Sequence, residues 1–235
     1  MVKAYITGGS KGIGYGIAEA ILKEGGKVAI SSRSQQSADE AAKQLIAKTG
    51  NDNVLAFESD VRELNSQNNT VDKIIKKWGG IDLVVANAGI GKFGSIENLS
   101  PKDWKDTLDI NLTGVFNTIK STLESLKKSK GYFITISSLA GTNFFAGGAA
   151  YNASKFGLTG FTQAVMLDLR QYGIRVSTIM PGSVATYFND HVPNDSDSWK
   201  IQIEDIGEMV VNLLKLNSRT LPSKIEVRPS MPPSK

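Results

Sequence analysis

Two side chains in the sequence Tyr151-Asn-Ala-Ser-Lys155 could act together on a proton. If the residues from Ala150 onward form a helix, positions i and i+4 project from one face, a turn apart. A cation near a phenol favours the phenolate, so Tyr151 would release its proton more readily than a free tyrosine, whose pKa is about 10. Ser138 could hold a carbonyl oxygen while Tyr151 protonates it. The spacing predicts that Tyr151 is a general acid. The alternative is a solvated Tyr and Lys pair on a helix surface, where the same spacing is common.

A glycine-rich turn, Thr7-Gly-Gly-Ser-Lys-Gly-Ile-Gly14, follows the first predicted strand, Ala4 to Thr7, and precedes a segment with helical apolar spacing. Gly8, Gly12 and Gly14 lack side chains where the backbone must turn and let a pyrophosphate approach the helix N-terminus. The spacing is G-x-x-x-G-x-G and differs from the G-x-G-x-x-G form. The turn predicts dinucleotide binding, with an ordinary loop as the alternative.

The second predicted strand, Lys27 to Ser32, ends without a carboxylate. An acidic residue at this point would bind the ribose 2′-hydroxyl of NAD. Here Arg33 and Lys11 could instead bind a 2′-phosphate through charge-assisted hydrogen bonds, with the hydroxyls of Ser10, Ser32 and Ser34. This pattern predicts NADP(H) in preference to NAD(H). The alternative is that Arg33 is a surface cation without a ligand.

Strands and helices alternate along the rest of the chain, which predicts a parallel sheet with helices on both faces. Ligands then lie at the carboxyl ends of the strands, and polar groups such as Asp60 and Asn87 follow two of them. The further predicted elements are a helix at 38–48, strands at 53–58, 81–86, 132–137 and 174–180, and long helices at about 101–128 and 150–172.

One segment conflicts with its predicted helix. Asp109-Ile-Asn111-Leu-Thr-Gly114 continues the helix that begins at Pro101, yet asparagine and glycine are poor residues for the middle of a helix. Such a conflict indicates either a functional position or a kink.

Composition excludes several classes of site. The 235 residues suit one α/β domain. Without cysteine and with a single histidine, the chain offers no disulfide, thiolate nucleophile or metal centre built from these residues. The net charge of +4 comes from scattered lysines without interleaved aromatic residues, so we expect solvated helix faces rather than nucleic-acid binding; an anionic ligand or acidic partner is the alternative. No apolar run approaches the roughly 18 residues of a membrane span, and we expect a cytoplasmic protein.

Taken together, the motifs resemble the short-chain dehydrogenase/reductase family, and within it the 3-oxoacyl-[acyl-carrier-protein] reductases and related short bacterial carbonyl reductases. The matching positions are 7–14, Asp60, 87–89, Asn111, Ser138, Tyr151, Lys155, Pro181, Gly182 and Thr186. The resemblance implies a single three-layer, doubly wound Rossmann domain over 1–229, with a seven-stranded parallel sheet in the order 3-2-1-4-5-6-7. Residues 230–235 would form a flexible tail.

The resemblance also implies four catalytic roles. Tyr151 would donate the proton in reduction and accept it in oxidation, and Lys155 would lower the proton affinity of the phenol and hold the nicotinamide ribose. Ser138 would polarise the substrate oxygen, and Asn111 would hold a water of a proton relay.

A larger set of residues is implied to bind the cofactor. Asp60 would contact the adenine, Asn87 would lie along the adenosine, and Thr186 would meet the nicotinamide carboxamide. The full implied set is Gly8, Ser10, Lys11, Gly12, Ile13, Gly14, Ser32, Arg33, Asp60, Val61, Asn87, Ala88, Gly89, Tyr151, Lys155, Pro181, Gly182, Val184 and Thr186.

The segment at about 187–202 corresponds to the substrate lid and is short, which suggests an open pocket. Phe188 and Trp199 are either an apolar substrate wall or anchors of a small helix. Phe144 and Phe145 are either pocket wall or subunit contact, and His191 is expected to be a surface residue without chemistry. The C-terminal sequence departs from the Gly-Gly-containing end of the 3-oxoacyl reductases, which weakens any transfer of substrate identity.

The expected activity is the reduction of a carbonyl to an alcohol with NADPH. A 3-oxoacyl thioester on acyl carrier protein is one candidate substrate; a broad-range ketone or aldehyde, a pteridine or a sugar is the alternative. A non-catalytic NADP(H) sensor is a rival of another class, but such proteins generally lack one of the Ser, Tyr or Lys groups that this chain retains. The two long helices resemble those that pair in homodimers or homotetramers of the family, and no membrane partner is expected.

Overall fold

Seven parallel strands form a single sheet in a computed structural model of the chain, which describes residues 1–232. The sheet order is β3-β2-β1-β4-β5-β6-β7, as the resemblance implies. The strands are β1 (Lys3–Thr7), β2 (Lys27–Ser32), β3 (Val54–Glu58), β4 (Leu83–Ala86), β5 (Tyr132–Ile136), β6 (Arg175–Pro181) and β7 (Lys224–Val227). The helices are α1 (Gly12–Lys23), α2 (Gln35–Thr49), α3 (Leu64–Trp78), α4 (Pro101–Leu108), α5 (Gly114–Ser129), α6 (Ala149–Leu169) and α7 (Ile203–Lys215).

Alternating side chains on the strands build two apolar cores, one on each face of the sheet. Ile6 and Ile134 pack with residues of α1, α2 and α7. Their neighbours Tyr5 and Phe133 point to the opposite face and pack with residues of α3, α5 and α6. The central strands β4 and β5 are buried along their whole length, as expected for parallel strands covered on both sides.

The segment 109–113 forms a turn of π-helix between α4 and α5, so the predicted conflict in this helix marks a real irregularity. A π turn inserts one residue into a helix and is common at functional sites. Helix α2 begins three residues before its predicted start, because the Ser34 hydroxyl accepts a hydrogen bond from the Ser37 amide at 3.3 Å and caps it. Strand β7 was expected only from the seven-stranded sheet that the resemblance implies, without predicted bounds.

Within residues 1–232, no helix has both the length and the apolar composition needed to cross a bilayer. Of the predicted tail, residues 230–232 form neither helix nor strand, and residues 233–235 lie outside the described residues.

Candidate active site

A cleft of about 870 Å³ runs along the carboxyl ends of the strands. Ligands of open α/β sheets bind at this edge. Gly14 and Asn111 lie behind its surface, whereas the other predicted site residues line it. Those lining residues are Gly8, Ser10, Lys11, Gly12, Ile13, Ser32, Arg33, Asp60, Val61, Asn87, Ala88, Gly89, Ser138, Tyr151, Lys155, Pro181, Gly182, Val184 and Thr186.

The glycine loop after β1 has the shape of an anion cradle. Gly8 and Gly12 have φ values of +64° and +60°, which residues other than glycine rarely adopt. A Cβ on Gly14 would lie 2.5 Å from Asn87 Nδ2, so only glycine lets the loop close here. No side chain caps the start of α1 at Lys11, and its first turn carries no carboxylate. The free N–H groups and the helix dipole therefore face the cleft and favour an anion.

Asn87 fixes the glycine loop from the end of β4. Its Nδ2 donates to the carbonyl oxygens of Thr7 and Gly8, each at 3.0 Å. The Thr7 hydroxyl in turn accepts hydrogen bonds from the backbone amides of Asn87 and Ala88 at 3.1 and 3.2 Å. The side chain predicted to lie along the adenosine thus also positions the loop.

The cationic end of the cleft lies at the ends of β2 and β3. Arg33 is exposed and directly follows β2, with Ser32 beside it on the cleft surface. Asp60 is held by Arg62, whose Nε donates to both carboxylate oxygens at 3.0 Å. This pairing lowers the pKa of Asp60, and Arg33 adds to the effect. Asp60 therefore stays ionised with its charge balanced by Arg62, and Arg33 remains open to an anionic group.

Tyr151 lies in the first turn of α6, facing the cleft and nine-tenths buried. Burial raises the pKa of Tyr151, and the neighbouring Ser138 hydroxyl opposes this rise. The direction is opposite to the one expected from the sequence, because burial disfavours the charged phenolate. A protonated phenol is the form that a proton donor requires.

Lys155 lies one turn further along α6 and is buried. Its Nζ is 5.7 Å from the centre of the Tyr151 ring and donates to the Ile136 carbonyl at 3.0 Å. Burial lowers the pKa of Lys155 to about 8. The ammonium therefore reaches the cleft beside the phenol, held by the end of β5.

Asn111 sits in the π turn and joins three parts of the site. Its Nδ2 donates to the Ile90 carbonyl at 2.9 Å and to Ser154 Oγ at 3.0 Å, and its Oδ1 accepts the Ile90 amide at 2.8 Å. The side chain thus ties the loop after β4 to α6. Its implied role in holding a relay water stays a prediction.

Aromatic rings surround the Tyr151 phenol. The Phe93 ring lies 5.3 Å from the Tyr151 ring, centre to centre, in an edge-to-face arrangement, and Phe188 lies 5.6 Å from it. Phe145 contacts Phe93 at 5.8 Å. Of the residues left open by the sequence, Phe188 lies beside the reactive phenol and Phe145 is connected to it through Phe93. Trp199 instead packs against Lys200, and Phe144 is 87% exposed.

Phe93 was not predicted from the sequence. Its loop is irregular, and no spacing rule connects it with Tyr151, 58 positions away by sequence number. The only signal was a large apolar residue in a loop at the carboxyl end of β4.

The lid segment is held by charges. Asp197 is 4% exposed and pairs with both His191 Nε2 and Lys200 Nζ at 2.5 Å. The Lys200 ammonium, with His191, lowers the pKa of Asp197 to about 2. His191, expected to be a surface residue without chemistry, belongs to this network and lines the cleft. Parallel pairing of Val184 with Ile201 closes the base of the lid.

The residues of the cleft fit a dinucleotide phosphate. The cradle at Gly8 and Gly12 admits a close backbone approach, and Thr186 lies across it, 3.5 Å from where a Cβ on Gly12 would be. Among residues 1–232, no group of three or more histidine and carboxylate side chains is arranged to hold a metal ion.

Comparisons with known proteins agree with this geometry. The family model described as short chain dehydrogenase matches residues 3–197. The trans-4-hydroxycyclohexanecarboxylate dehydrogenase of Sinomonas cyclohexanicum is 34% identical over 187 residues, covering 78% of this chain and 72% of that enzyme. The 3-oxoacyl-[acyl-carrier-protein] reductase of Chlamydia muridarum is 33% identical over 184 residues, covering 78% of this chain and 74% of that enzyme.

A solved structure is similar over the whole chain. The alcohol dehydrogenase of the archaeon Thermococcus sibiricus, in complex with 5-hydroxy-NADP, superposes with a TM-score of 0.91 at 28% identity and covers 100% of both chains. The family model spans most of the sequence, and the site has the predicted residues at the expected edge of the sheet. The chain therefore belongs to the short-chain dehydrogenase family of oxidoreductases.

Proposed function

We propose that this protein is an NADPH-dependent carbonyl reductase in which Tyr151 is the proton donor. One observation carries the proposal: Tyr151, Lys155 and Ser138 meet in the same cleft as the anion cradle. An acid beside a dinucleotide site provides the two things that carbonyl reduction needs, a proton for the oxygen and a hydride for the carbon.

The chain's own groups would act on the oxygen. The Tyr151 phenol is protonated at neutral pH, because tyrosine ordinarily titrates near pH 10 and burial raises its pKa further. The Ser138 hydroxyl would donate a hydrogen bond to the carbonyl oxygen, and the Lys155 ammonium would stabilise the negative charge that remains on Tyr151 after proton transfer. Bound NADPH would supply the hydride. In the reverse direction Tyr151 would accept the proton of the alcohol.

The preference for NADP(H) is part of the proposal. Arg33 is exposed at the end of β2, where no carboxylate would repel a 2′-phosphate. The similar Thermococcus sibiricus enzyme was solved with an NADP derivative, which supports this choice.

The substrate alternatives are a 3-oxoacyl thioester on acyl carrier protein and a free ketone or aldehyde. One relative is named for a 3-oxoacyl group on acyl carrier protein and another for trans-4-hydroxycyclohexanecarboxylate, a small molecule, at 33% and 34% identity. Assembly into a homodimer or homotetramer completes the proposal. It is supported by apolar side chains left exposed on α5 and α6, among them Phe116 and Phe156.

Exchange of Tyr151 for phenylalanine tests the mechanism. The Tyr151→Phe variant keeps the ring packing but loses the proton, so we expect kcat for NADPH-dependent carbonyl reduction to fall by about 10²- to 10⁴-fold. NADPH binding, followed by the change in nucleotide fluorescence, should stay within about threefold of the parent protein, since one hydrogen bond contributes little net free energy.

Tyr172→Phe is the matched control, because Tyr172 is 43% exposed in the turn that follows α6. Its kcat should equal that of the parent. Undiminished turnover by Tyr151→Phe would contradict the proposed acid. Nucleotide binding by the parent without reduction of any carbonyl would favour the sensor instead.

A further inference from the structure

Three phenylalanines from three separate loops form a wall beside the reactive phenol. We call Phe93, Phe145 and Phe188 the aromatic wall. Phe93 is its centre, with its ring 5.8 Å from Phe145, 6.3 Å from Phe188 and 5.3 Å from Tyr151. The backbone holds the loops together: the Gly94 amide donates to the Gly147 carbonyl at 2.8 Å.

The wall leaves apolar surface exposed at the edge of the cleft. Phe93, Phe145 and Phe188 are 43%, 48% and 37% exposed. Phe188 lines the cleft itself, and Phe93 adjoins it through its ring contacts with Phe188 and Tyr151. Contiguous exposed apolar surface in a cleft indicates a ligand-binding site rather than a structural core. The rings meet Tyr151 and one another at angles of 55° to 71°, so both faces and edges are available. Such an arrangement accepts another ring in edge-to-face or offset contact.

The three loops around the wall, 87–100, 142–149 and 187–200, together carry a net negative charge, which comes from the third loop. We call them the mouth loops. Their charged residues are Lys92 and Lys200 against Glu97, Asp190, Asp195 and Asp197, a net charge of −2 with the histidine neutral. The other cations of the cleft belong to other segments of the chain: Lys11, Arg33, Arg62, Lys102 and Lys155. Of these, Lys11 reaches a mouth loop, with its Nζ 5.8 Å from the centre of the Tyr187 ring.

The charge of the mouth loops bears on how a substrate arrives. Like charges facing each other across an interface disfavour association and slow the encounter. A substrate tethered to an acidic carrier protein would have to bring that carrier against these loops. The chain is basic overall, at +4, whereas the residues of the mouth loops sum to −2.

We infer that the substrate is a free, uncharged ketone with a ring on or containing the carbonyl carbon, and that the aromatic wall selects it. This inference rests on the proposed function and specifies the substrate class of the same site. A rigid ring loses less conformational freedom on binding than a flexible acyl chain, and it fits the edges and faces that the wall presents. Phe93 is the residue on which this selection depends most, since it contacts the other two phenylalanines and Tyr151.

The test compares kcat/KM for α-tetralone, cyclohexanone, acetone and acetoacetyl-acyl carrier protein at saturating NADPH. We expect kcat/KM to decrease in the order α-tetralone, cyclohexanone, acetone, because each ketone in this order presents less apolar area to the wall. For the carrier thioester we expect kcat/KM at least about tenfold lower than for α-tetralone. Phe93→Ala should raise KM for α-tetralone about tenfold while kcat changes less than about threefold, because the ring binds without touching the reacting atoms. For acetone the same variant should have little effect.

Phe144→Ala is the matched control, since Phe144 is 87% exposed in a mouth loop and lies outside the wall. It should leave all four substrates unchanged, and Phe93→Leu should recover part of the binding lost in Phe93→Ala. Preference for the carrier thioester, or an equal effect of Phe93→Ala on α-tetralone and acetone, would overturn the inference and leave the carbonyl reductase intact. If neither NADPH nor NADH supports reduction of any of the four carbonyls, the proposed function itself fails, and the inference with it.

Discussion

Lys155 is a charged group in a buried position, and the site depends on it. The amine has the Ile136 carbonyl as its hydrogen-bond acceptor at 3.0 Å and lies among groups that give it little solvation. Burial lowers the pKa of Lys155 from 10.5 to about 8, so folding is coupled to the proton of this residue. The residue is kept in the charged form at neutral pH at a cost in stability.

The cost predicts a pH dependence. Between about pH 8 and 10.5 the unfolded chain binds more protons at this position than the folded chain, so the free energy of unfolding should rise with pH. Lys155→Met removes the effect. From pH 7 to 9.5, urea unfolding should show the parent gaining about 2 kcal/mol relative to Lys155→Met. A pH-independent difference between the two proteins would show that the amine is not desolvated as the structure indicates.

Arg33 is a second residue whose charge should be measurable. Arg33→Asp places a carboxylate where a 2′-phosphate would bind, and a charge-assisted hydrogen bond is worth about 1.5–3 kcal/mol. The kcat/KM ratio of NADPH to NADH should therefore fall by about 10- to 100-fold. Arg219→Asp, on an exposed loop far along the chain, controls for the change in net charge and should leave the ratio unaltered. A retained NADPH preference in Arg33→Asp would exclude this arginine as its main determinant.

At the scale of elements, the close contact of α1 with α7 positions the glycine loop. A Cβ on Gly16 would lie 2.4 Å from the Ile203 carbonyl oxygen, and one on Gly207 would lie 2.6 Å from the Gly16 carbonyl oxygen. Both neighbours are backbone atoms, which cannot rotate away. The two helices therefore meet through glycine at both surfaces, and α1 holds the cradle at its N-terminus.

Gly16→Ala should separate these helices. Overpacking against backbone costs about 1–3 kcal/mol, so the free energy of unfolding should fall by that amount in urea titrations at fixed protein concentration. Affinity for NADPH should fall as well, because the start of α1 moves. Gly80→Ala is the control: its new Cβ would have its nearest neighbour at 3.6 Å, and its stability should stay within about 0.5 kcal/mol of the parent. Equal stability of Gly16→Ala would mean that α7 yields to the methyl group.

The sequence predicted elements better than their irregularities. Short apolar runs and glycine breaks are local signals, and the strands at the centre of the sheet were placed within a residue or two of their observed ends. The π turn at 109–113 was visible only as a conflict, since its geometry depends on Asn111 reaching Ile90 and Ser154 in other elements. The turns of the lid depend on the ion pairs of Asp197 with His191 and Lys200. The periodicity of the sequence does not show that these side chains meet.

At the scale of the whole molecule, the site splits into predictable and unpredictable parts. The glycine loop, Arg33, Tyr151 and Lys155 belong to motifs whose places relative to the strands and helices could be predicted from the sequence. All of them line the cleft. The aromatic wall and the direction of the Tyr151 pKa depend on burial and on contacts between distant loops, such as Phe93 with Phe188. These are properties of the assembled fold, which composition and spacing do not determine.

The α5 and α6 surfaces carry an apolar patch that a single chain leaves open. Phe116, Phe156 and Leu167 are 45%, 43% and 53% exposed, and the Phe116 ring packs edge to face on Phe161 at 6.4 Å. A patch of this kind on two adjacent helices is typical of a subunit interface. It lies on the helix that carries Tyr151 and Lys155, so assembly would also brace the catalytic pair.

Phe156→Glu should therefore dissociate the proposed oligomer, because a carboxylate would be buried without a partner in the assembled interface. Sedimentation equilibrium should give a mass of two or four chains for the parent and of one chain for the variant, with lower kcat as α6 loses its support. Leu64→Glu, which adds the same charge at a residue 37% exposed on α3, should keep the parent mass. A parent that sediments as one chain would show that this patch is left for another partner or for solvent, and the catalytic pair would then have to be held by the protomer alone.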